Sequence, residues 1–344
     1  MRAGLILGKH RLEFVEVPEP QAGSGLAVVE IERCGICGTD VAAFRSGEPY
    51  MPFLSGHEWC GTVADVGPGV SHLAAGDRVV IGSPPACGRC AECRAGLVHR
   101  CARILDLSPD VTPPYPPHGG YAPRIAVDAS RLIPIPAGLP ADEAAMVEPA
   151  TVALHAVRRS PLRLGDTVVV QGAGPIGLLT LQLARVAGAQ TIIAVEPNAK
   201  RQVLAHDLGA DAVVAPGEAA LELVRTRTAG LGADVVFDCA GTGTALDTAV
   251  LLARPGGTVM AVGVASTPVT INPTLWLIKE VTVSVSLAHN YEEFFTTLAL
   301  LRDGRLRVTP LHSKTIGLAE LPQALTALAS GDGALCKVLV DPNA

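Results

Sequence analysis

A glycine-rich turn between an apolar strand and an amphipathic helix constrains the fold of this 344-residue chain more than any other feature. The segment TVVVQGAGPIGLLTLQLARVAG places Gly172, Gly174 and Gly177 in the spacing G-x-G-x-x-G. These glycines permit a tight turn, a close backbone approach to a pyrophosphate, and close packing of helix on strand, respectively. The helix N-terminus, with Pro175 and Ile176 in its first turn, favours anionic phosphates. The pattern predicts an α/β domain with a Rossmann doubly wound parallel sheet.

A carboxylate ends the next apolar run, TIIAVE, at Glu196. A residue in this position can accept hydrogen bonds from both ribose hydroxyls, and its charge would repel a 2′-phosphate. The sequence therefore predicts NAD as the cofactor. Lys200 and Arg201 follow closely and can weaken that preference, so Arg201 is included among the candidate cofactor-binding residues. A Rossmann-like domain that binds no nucleotide is the alternative.

Four cysteines in one short, glycine-dotted stretch, CGRCAECRAGLVHRC, indicate a metal site. They are Cys87, Cys90, Cys93 and Cys101. Their spacing suits one tetrahedral zinc ion better than a helix or sheet face. Four thiolates leave no open position for a substrate, so we expect this zinc to be structural. Two disulfides or four buried thiols are the alternative, but clustered cysteines on a chain without a secretion signal more often bind metal.

Composition excludes several classes of function. The chain is 49% hydrophobic and 17% charged, with a formal net charge of -6, and this length supports two domain cores. Without a Lys/Arg cluster there is no electrostatic basis for nucleic-acid binding. The N-terminal segment lacks the apolar core of a signal peptide, and no uncharged apolar run reaches the length of a membrane span. We expect a cytoplasmic protein.

The lengths and spacing of the apolar runs divide the chain into three segments. Residues 1–152 contain short runs broken by Pro and Gly, which are typical of antiparallel strands. Residues 153–286 alternate buried apolar strands with alanine-rich helical stretches, which indicates a parallel sheet. Residues 287–344 are expected to fold back on the first domain. The structural-zinc lobe is predicted at 84–104, and the proline-rich segment 107–122 is predicted to be a lid or substrate wall.

A second set of metal-capable residues is scattered through the N-terminal half, as the ligands of catalytic metals usually are. It comprises Cys37 in CGICGTD, His57 and Glu58 in SGHEWCG, and Glu148 in VEPATVALHA. A thiolate, an imidazole and a carboxylate would leave the fourth position of a zinc ion open for water or substrate. Taken singly, each residue has a structural alternative: a core thiol, a capped histidine, or a glutamate at a helix N-terminus.

Together these segments resemble the zinc-containing medium-chain dehydrogenases of the polyol, sorbitol, butanediol and threonine dehydrogenase branch. The matching segments are CGICGTD, GHEWCG, the four-cysteine lobe, GGYA, EPATVALHA, GAGPIG and KVLVDP. The resemblance implies a GroES-like β-barrel catalytic domain made by both ends of the chain, with a Rossmann domain inserted between them and the active site in the cleft. Ethanol-type enzymes have a cysteine where this chain has Glu148. Relatives differ over whether Glu58 or Glu148 completes the catalytic ligands.

The same resemblance implies a mechanism in which zinc lowers the pKa of the substrate hydroxyl before hydride passes to the nicotinamide. Thr39, two residues after Cys37, resembles the family's relay hydroxyl and is expected to pass the proton toward the ribose. The histidine that often ends this relay, five residues after the cysteine, is replaced by Ala42. The proton must therefore leave another way, through water held by a glutamate or directly to solvent.

Other residues have plainer interpretations. The remaining thiols are expected to be ordinary buried cysteines: Cys34, Cys60, Cys239 and Cys336. His99 is interpreted as a surface residue, because four cysteines already complete the lobe. A further group could either line the substrate cleft or pack in the core: Phe44, Trp59, Tyr115, His118, Trp276 and His289.

We therefore expect an NAD- and zinc-dependent dehydrogenase, with two zinc ions per chain, that oxidises a secondary alcohol to a ketone. The substrate classes are polyols, cyclitols, amino alcohols and sugar derivatives. An NADPH-dependent ketone reductase and a non-catalytic protein that binds metal and nucleotide are the alternatives. The run VTVSVS, interpreted as the last strand of the parallel sheet, would leave an exposed edge. Relatives join subunits through this strand, so a homodimer or homotetramer is predicted.

Overall fold

The computed structural model describes residues 1–82, 87, 89–102, 117–265, 270–331, 333 and 335–344. They group into two units, the first comprising Met1–Glu148, His289–Leu298 and His312–Ala344, and the second comprising Pro149–Ala288 and Ala299–Leu311. The sequence-based division placed all of 287–344 in the catalytic domain, whereas 299–311 group with the second unit. The domain boundaries themselves stay a prediction. Residues 107–116 of the predicted lid, which include Tyr115, lie outside the described residues.

The strands are, in chain order, β1 (Arg2–Gly8), β2 (Arg11–Glu16), β3 (Leu26–Gly35), β4 (Glu58–Val66), β5 (Arg78–Ile81), β6 (Arg124–Asp128), β7 (Leu132–Pro134), β8 (Thr167–Gln171), β9 (Thr191–Val195), β10 (Ala212–Val214), β11 (Ala233–Asp238), β12 (Ala253–Ala261), β13 (Thr282–Val285), β14 (His312–Gly317) and β15 (Lys337–Asp341).

The helices are, in chain order, α1 (Gly38–Ser46), α2 (Ala91–Arg94), α3 (Ala141–Ala144), α4 (Val147–Arg159), α5 (Pro175–Val186), α6 (Ala199–Asp207), α7 (Glu218–Arg227), α8 (Ala245–Leu252), α9 (Pro273–Lys279), α10 (Tyr291–Arg302) and α11 (Leu321–Ala329). Among the residues that the structure describes, no helix combines the length and the apolar character that crossing a bilayer requires.

A mixed sheet organises the first unit. Its described strands follow the order β14-β15-β3-β4-β5-β7, with β6 also paired to β3, while β1 and β2 form a separate antiparallel ribbon. Alternate residues of β3, such as Ala27, Val29 and Ile31, are buried in one apolar core, which is the period expected of a strand with one face inside. The antiparallel pairing of β3 with β4 ends at Gly35 opposite Glu58. This register brings the segment after β3 close to the start of β4.

A parallel sheet organises the second unit. Within the described residues its order is β10-β9-β8-β11-β12-β13, and every neighbouring pair is parallel. This is the strand order of a Rossmann sheet, in which the order reverses between the first and fourth strands. The strands are continuous apolar runs because helices cover both faces of such sheets, and Val168, Val169 and Val170 are all buried. The predicted α/β fold with a parallel sheet is confirmed.

Candidate active site and cofactor site

Three of the candidate ligands converge in the first unit. Cys37 is the N-cap of α1, Glu58 is the first residue of β4, and His57 immediately precedes this strand. The Cys37 sulfur, an imidazole nitrogen of His57 and a carboxylate oxygen of Glu58 lie within 4.8 Å of one another. A thiolate, an imidazole and a carboxylate at these separations suit tetrahedral zinc with one position left open.

A backbone hydrogen bond orients His57 toward this cluster. Its Nδ1 lies 2.9 Å from the carbonyl oxygen of Leu54, so Nδ1 carries the proton that is donated and Nε2 remains for a metal. Burial lowers the pKa of His57, but the hydrogen bond with Cys37 and the negative charges of Cys37, Asp40 and Glu148 together outweigh it, and the pKa lies well above its usual value. Surroundings that hold a proton on this imidazole also favour a divalent cation in its place.

Glu58 forms a buried ion pair with Lys337 of β15. The Lys337 Nζ lies 2.5 Å from the Glu58 Oε2, and the two side chains are only 3% and 2% exposed. A second acceptor, the carbonyl oxygen of Ile36, lies 3.0 Å from the same Nζ. Burial lowers the pKa of Lys337, but the hydrogen bond to Glu58 and the negative charges around the lysine, that of Glu58 first, together raise it more, so the net shift is upward. A Cβ on Gly35 would lie 2.3 Å from the Glu58 Oε2, so the carboxylate needs a glycine there.

Glu148, the other candidate carboxylate, has a different partner. The Nε2 of His289 donates to its Oε1 at 3.0 Å, and the ring of Phe294 packs edge-on against the imidazole with centroids 4.6 Å apart. Burial raises the pKa of Glu148, but the hydrogen bond from His289 and the positive charges of His289, His57 and Lys337 together outweigh it, and the net shift is downward. Among the described residues, the group of ligand atoms within 4.8 Å contains Glu58 and not Glu148.

A network of hydroxyl groups and one carboxylate adjoins the ligands. The Thr39 Oγ1 lies 3.5 Å from the His57 Nε2 and 3.4 Å from the Tyr50 Oη. Asp40 is completely buried. Its carboxylate accepts hydrogen bonds from the backbone nitrogens of Cys37 and Gly56 and from the hydroxyls of Tyr50 and Tyr121. Asp40 thus ties together the two segments that carry Cys37 and His57.

Sequence reasoning missed two residues of this region. Lys337 was not singled out, although the sequence contained a signal for it. This lysine lies inside the apolar run CKVLV, and a lysine is almost never fully buried unless it is paired. Tyr50 lies in a loop without periodicity, and nothing in the sequence indicated its partner.

The four cysteines of the lobe also converge. The sulfur atoms of Cys87, Cys90, Cys93 and Cys101 lie within 4.8 Å of one another. The backbone nitrogen of Cys87 donates to the Cys101 sulfur at 3.3 Å, and that of Cys90 to the Cys87 sulfur at 3.4 Å. Backbone N–H donors lower the pKa values of Cys87 and Cys90, because such bonds stabilise thiolates. Thiolates grouped in this way suit tetrahedral zinc. Parts of the predicted lobe 84–104 lie outside the described residues.

The interpretation of His99 as a surface residue was wrong. Its side chain is buried, with a relative exposure of 6%, and its Nδ1 lies 2.7 Å from the Oδ1 of Asn290. The lobe is therefore attached to the segment that also carries His289, a contact between distant parts of the chain that spacing along the sequence does not reveal.

The glycine turn of the second unit is tight and leads into an open helix N-terminus. Gly172 follows β8 with a φ of 86°, which favours glycine. A Cβ on Gly177 would lie 1.8 Å from the Gly172 carbonyl oxygen, whereas one on Gly174 would have no atom within 4 Å. Gly174 caps α5, whose first residue is Pro175, where the missing N–H breaks no bond. With Ile176 in the same turn, the open N-terminus suits an anion.

Glu196 follows β9 and contacts that turn directly. Its Oε2 accepts a hydrogen bond from the backbone nitrogen of Ala173 at 2.7 Å, and its Oε1 accepts one from that of Asn198 at 2.9 Å. The Asn198 side chain in turn accepts from the backbone nitrogens of Lys200 and Arg201 at the start of α6. The carboxylate predicted to contact the ribose thus lies against the glycine turn.

The remaining residues are mostly structural. Cys34, Cys60, Phe44 and Trp59 are buried, and burial raises the pKa of Cys60 to about 12. Cys239 and Cys336 are only partly buried, which corrects the expectation that all four of these thiols are interior. His118 is buried with its Nδ1 2.8 Å from the Gly119 carbonyl oxygen. Trp276 donates to Asp247 within the second unit.

Two family models match this chain. Residues 23–137 match the alcohol dehydrogenase GroES-like domain, and residues 175–303 match the zinc-binding dehydrogenase domain. A 2-dehydro-3-deoxy-L-galactonate 5-dehydrogenase from Pseudoalteromonas atlantica is 32% identical over 100% of this chain and 99% of its own. The crystal structure of 2R,3R-butanediol dehydrogenase from Bacillus subtilis superimposes with a TM-score of 0.85 at 30% identity, covering 99% of both chains. A structure from Sinorhizobium meliloti, described as a zinc-binding dehydrogenase bound to NADP, has a TM-score of 0.85 at 33% identity and the same coverage.

Proposed function

Because the chain belongs to the zinc-binding dehydrogenases with an alcohol dehydrogenase GroES-like domain, we propose that it transfers hydride from a secondary alcohol to NAD and releases a ketone. The observation that carries this proposal is the convergence of Cys37, His57 and Glu58 beside the Thr39 hydroxyl. The names of similar proteins, which include a sugar-acid dehydrogenase and a butanediol dehydrogenase, support a polyol, cyclitol, amino alcohol or sugar derivative as the substrate.

In the proposed site, Cys37, His57 and Glu58 would hold the catalytic zinc, and the ion pair with Lys337 keeps the Glu58 carboxylate in place. Zinc, when bound there, supplies Lewis acidity that lowers the pKa of the alcohol. Thr39 accepts the hydrogen bond of the substrate hydroxyl. The hydrogen bond from His289 holds Glu148 as a second carboxylate near the site. This arrangement supports Glu58 as the third ligand and Glu148 as an acceptor for water or substrate.

The proposal includes a second zinc and a defined cofactor. Cys87, Cys90, Cys93 and Cys101 would hold a structural zinc, giving two zinc ions per chain. The glycine turn would bind the pyrophosphate, and Glu196 would accept hydrogen bonds from the ribose of NAD. The match of residues 23–137 to the GroES-like model supports the further proposal that the sheet of the first unit is the barrel of that domain.

An oxidation screen with NAD across sugars, sugar acids, cyclitols, diols and amino alcohols tests this function. We expect turnover on at least one secondary alcohol, about two zinc ions per chain, and loss of turnover after chelation. Cys37→Ala should abolish turnover while the affinity for NAD stays within about threefold, because the glycine turn belongs to the other unit. Cys336→Ala, which removes a partly exposed thiol of the same unit, is the control. Normal kcat in Cys37→Ala would remove this residue from the active site.

Ketone reduction with NADPH is the second candidate function. It is favoured by the NADP-bound structure that resembles this chain and by Arg201, close to the predicted ribose carboxylate. Comparing kcat/KM for the two cofactors in both directions distinguishes the candidates. Zinc and nucleotide binding without turnover on any alcohol or ketone would instead support a non-catalytic protein.

A further inference from the structure

The candidate metal site has two carboxylates nearby but room for only one of them. Within the described residues, the ligand atoms of this site that lie within 4.8 Å of one another come from Cys37, His57 and Glu58. A second carboxylate, that of Glu148, would close a tetrahedral site and leave no position for the substrate. We propose that His289 is a positioning residue that keeps Glu148 off the metal and thereby keeps the fourth coordination position open. The inference rests on the metal site of the proposed function.

Glu148 interacts with the ligand group through its charge. It lies in the first turn of α4, and its side chain is 15% exposed. Against the effect of burial, its negative charge is among those that raise the pKa values of His57 and Lys337. An ionised carboxylate is a common zinc ligand, and a glutamate side chain has large rotamer freedom when it is not restrained. A specific contact is therefore needed to hold this carboxylate back.

The hydrogen bond from His289 is that contact. The His289 Nε2 donates to the Glu148 Oε1 at 3.0 Å, and the imidazole side chain is only 4% exposed. Hydrogen bonds to ionised acceptors are the strong ones. If Glu148 turned toward the metal, this bond would break and a buried N–H group would lose its acceptor, which costs more than losing the same bond at an exposed site. The pair therefore favours the position in which Glu148 is not a ligand.

The backbone and the packing around His289 fix the direction of its ring. Ala288, directly before it, has a φ of 53°, in the left-handed region that residues other than glycine seldom adopt. The Oδ1 of Asn290, directly after it, lies 2.7 Å from the His99 Nδ1, and the ring of Phe294 packs edge-on against the imidazole. A strained residue persists only where its surroundings determine the conformation, so the imidazole is held in place before any ligand binds.

Cobalt(II) and imidazole test this role without any alcohol substrate. Cobalt(II) accepts the nitrogen, oxygen and sulfur ligands of zinc sites, and its visible absorption changes when a further ligand binds. A site closed by four thiolates has no position for imidazole, so the response comes from the metal held by Cys37, His57 and Glu58. An imidazole titration of the cobalt protein therefore measures how open the fourth position is.

The experiment compares His289→Leu and His289→Phe, which lack a donor, with His289→Gln, whose amide donates from a similar reach. In the first two variants the released Glu148 should occupy the fourth position and weaken imidazole binding about 10- to 100-fold, the equivalent of one charge-assisted hydrogen bond. His289→Gln should stay within about threefold of the wild type. Adding Glu148→Gln to either donor-free variant should restore the affinity to within about threefold of Glu148→Gln alone, because the competing carboxylate is gone. Cobalt content should stay at about two per chain throughout.

The inference is wrong if both donor-free variants bind imidazole like the wild type, if His289→Gln is weakened as much as they are, or if the weakening persists after Glu148→Gln is added. Loss of cobalt from both donor-free variants would also contradict it, because a released carboxylate adds a ligand to the metal. A wild-type protein whose cobalt does not respond to imidazole would overturn the open position itself. A wild-type protein that binds cobalt and imidazole but oxidises no alcohol would instead overturn the proposed function and leave this inference standing.

Discussion

At the scale of single residues, charged groups placed in the interior carry most of the information about function. Glu58 and Lys337 are almost completely buried, and such residues are rarely found inside proteins unless they are paired. Their pairing next to Cys37 and His57 places a charged, polar cluster in the interior of the first unit. Because both charges are desolvated, removing either one leaves the other without compensation.

Lys337→Met should therefore lower the free energy of unfolding by about 3 to 5 kcal/mol. The measurement is urea denaturation of the protein after treatment with a chelator, because the treatment removes the contribution of bound metal to stability. The double variant Lys337→Met/Glu58→Gln is the matched control, and it should recover part of the loss because no charge is then left unpaired. A loss below about 1 kcal/mol in the single variant would show that the pair is hydrated.

The pair also predicts a pH dependence. The folded-state pKa of Lys337 is raised, so its contribution to stability is fully present below its unfolded-state pKa of about 10.4 and disappears as the pH rises through the folded-state value. The stability difference between wild type and the double variant Lys337→Met/Glu58→Gln, in which no buried carboxylate titrates at this position, should therefore be constant from pH 6 to 9 and shrink only above about pH 10. A decrease already between pH 7 and 9 would contradict the raised pKa.

A further prediction for a single residue concerns Glu196 and the preference for NAD over NADP. Losing charge-assisted hydrogen bonds, about 1.5 to 3 kcal/mol each, predicts that Glu196→Ala lowers kcat/KM for NAD about 10- to 100-fold. Activity with NADP should improve, because repulsion is relieved and Arg201 becomes available to the phosphate. Glu218→Ala, which removes an exposed carboxylate of the same unit, is the control. An unchanged NAD to NADP ratio in Glu196→Ala would mean that this carboxylate does not contact the ribose.

At the scale of elements, two glycines in the turn from β8 to α5 are expected to serve different purposes, one the stability of the fold and the other the binding of NAD. Gly177 has no room for a Cβ, while Gly174 has open space and a φ of −73° that alanine adopts easily. Gly177→Ala should lower the free energy of unfolding by about 3 kcal/mol or more. Gly174→Ala should change it by less than about 0.5 kcal/mol and still weaken NAD binding more than tenfold. Chemical denaturation and NAD titration check both. Equal loss of stability in the two variants would refute this separation.

The four-cysteine lobe is the second element with its own prediction. Cys93→Ser should reduce the zinc content from about two to about one per chain, because serine is a poor ligand for a site built of thiolates. Stability should decrease before activity does. Undiminished zinc content together with an unchanged melting temperature would count against a structural metal in this lobe.

At the scale of the whole molecule, one edge of the parallel sheet is the basis of a prediction about assembly. Strand β13 ends the strand order, and its last residue, Val285, is 64% exposed. Edges of this kind are usually protected or paired. We predict a homodimer or homotetramer, measured by light scattering at micromolar concentration. Val285→Lys should shift the equilibrium toward monomer, because lysine at an edge opposes strand pairing. A wild-type monomer with full activity would refute the prediction.

The amino-acid sequence by itself determined the local features of this protein. Gly172, Gly174 and Gly177 predicted the turn and the parallel sheet, since steric demands on three nearby glycines depend only on the strand and helix beside them. The cysteine spacing predicted one metal site for the same reason, because the ligands lie on a short segment. Continuous apolar runs indicated strands covered on both faces.

Only the tertiary structure decided which distant side chains meet. Glu58 and Lys337 are 279 residues apart in the chain, and Glu148 and His289 are 141 apart. Their pairing depends on how β15 and the segment that begins at His289 pack within the first unit, which no local pattern encodes. For the same reason the sequence left Glu58 and Glu148 as equal candidates, whereas the register of β3 against β4 brings Glu58 to Cys37. Spacing along the chain determines nearby geometry, but contacts between remote segments depend on the packing of the complete fold.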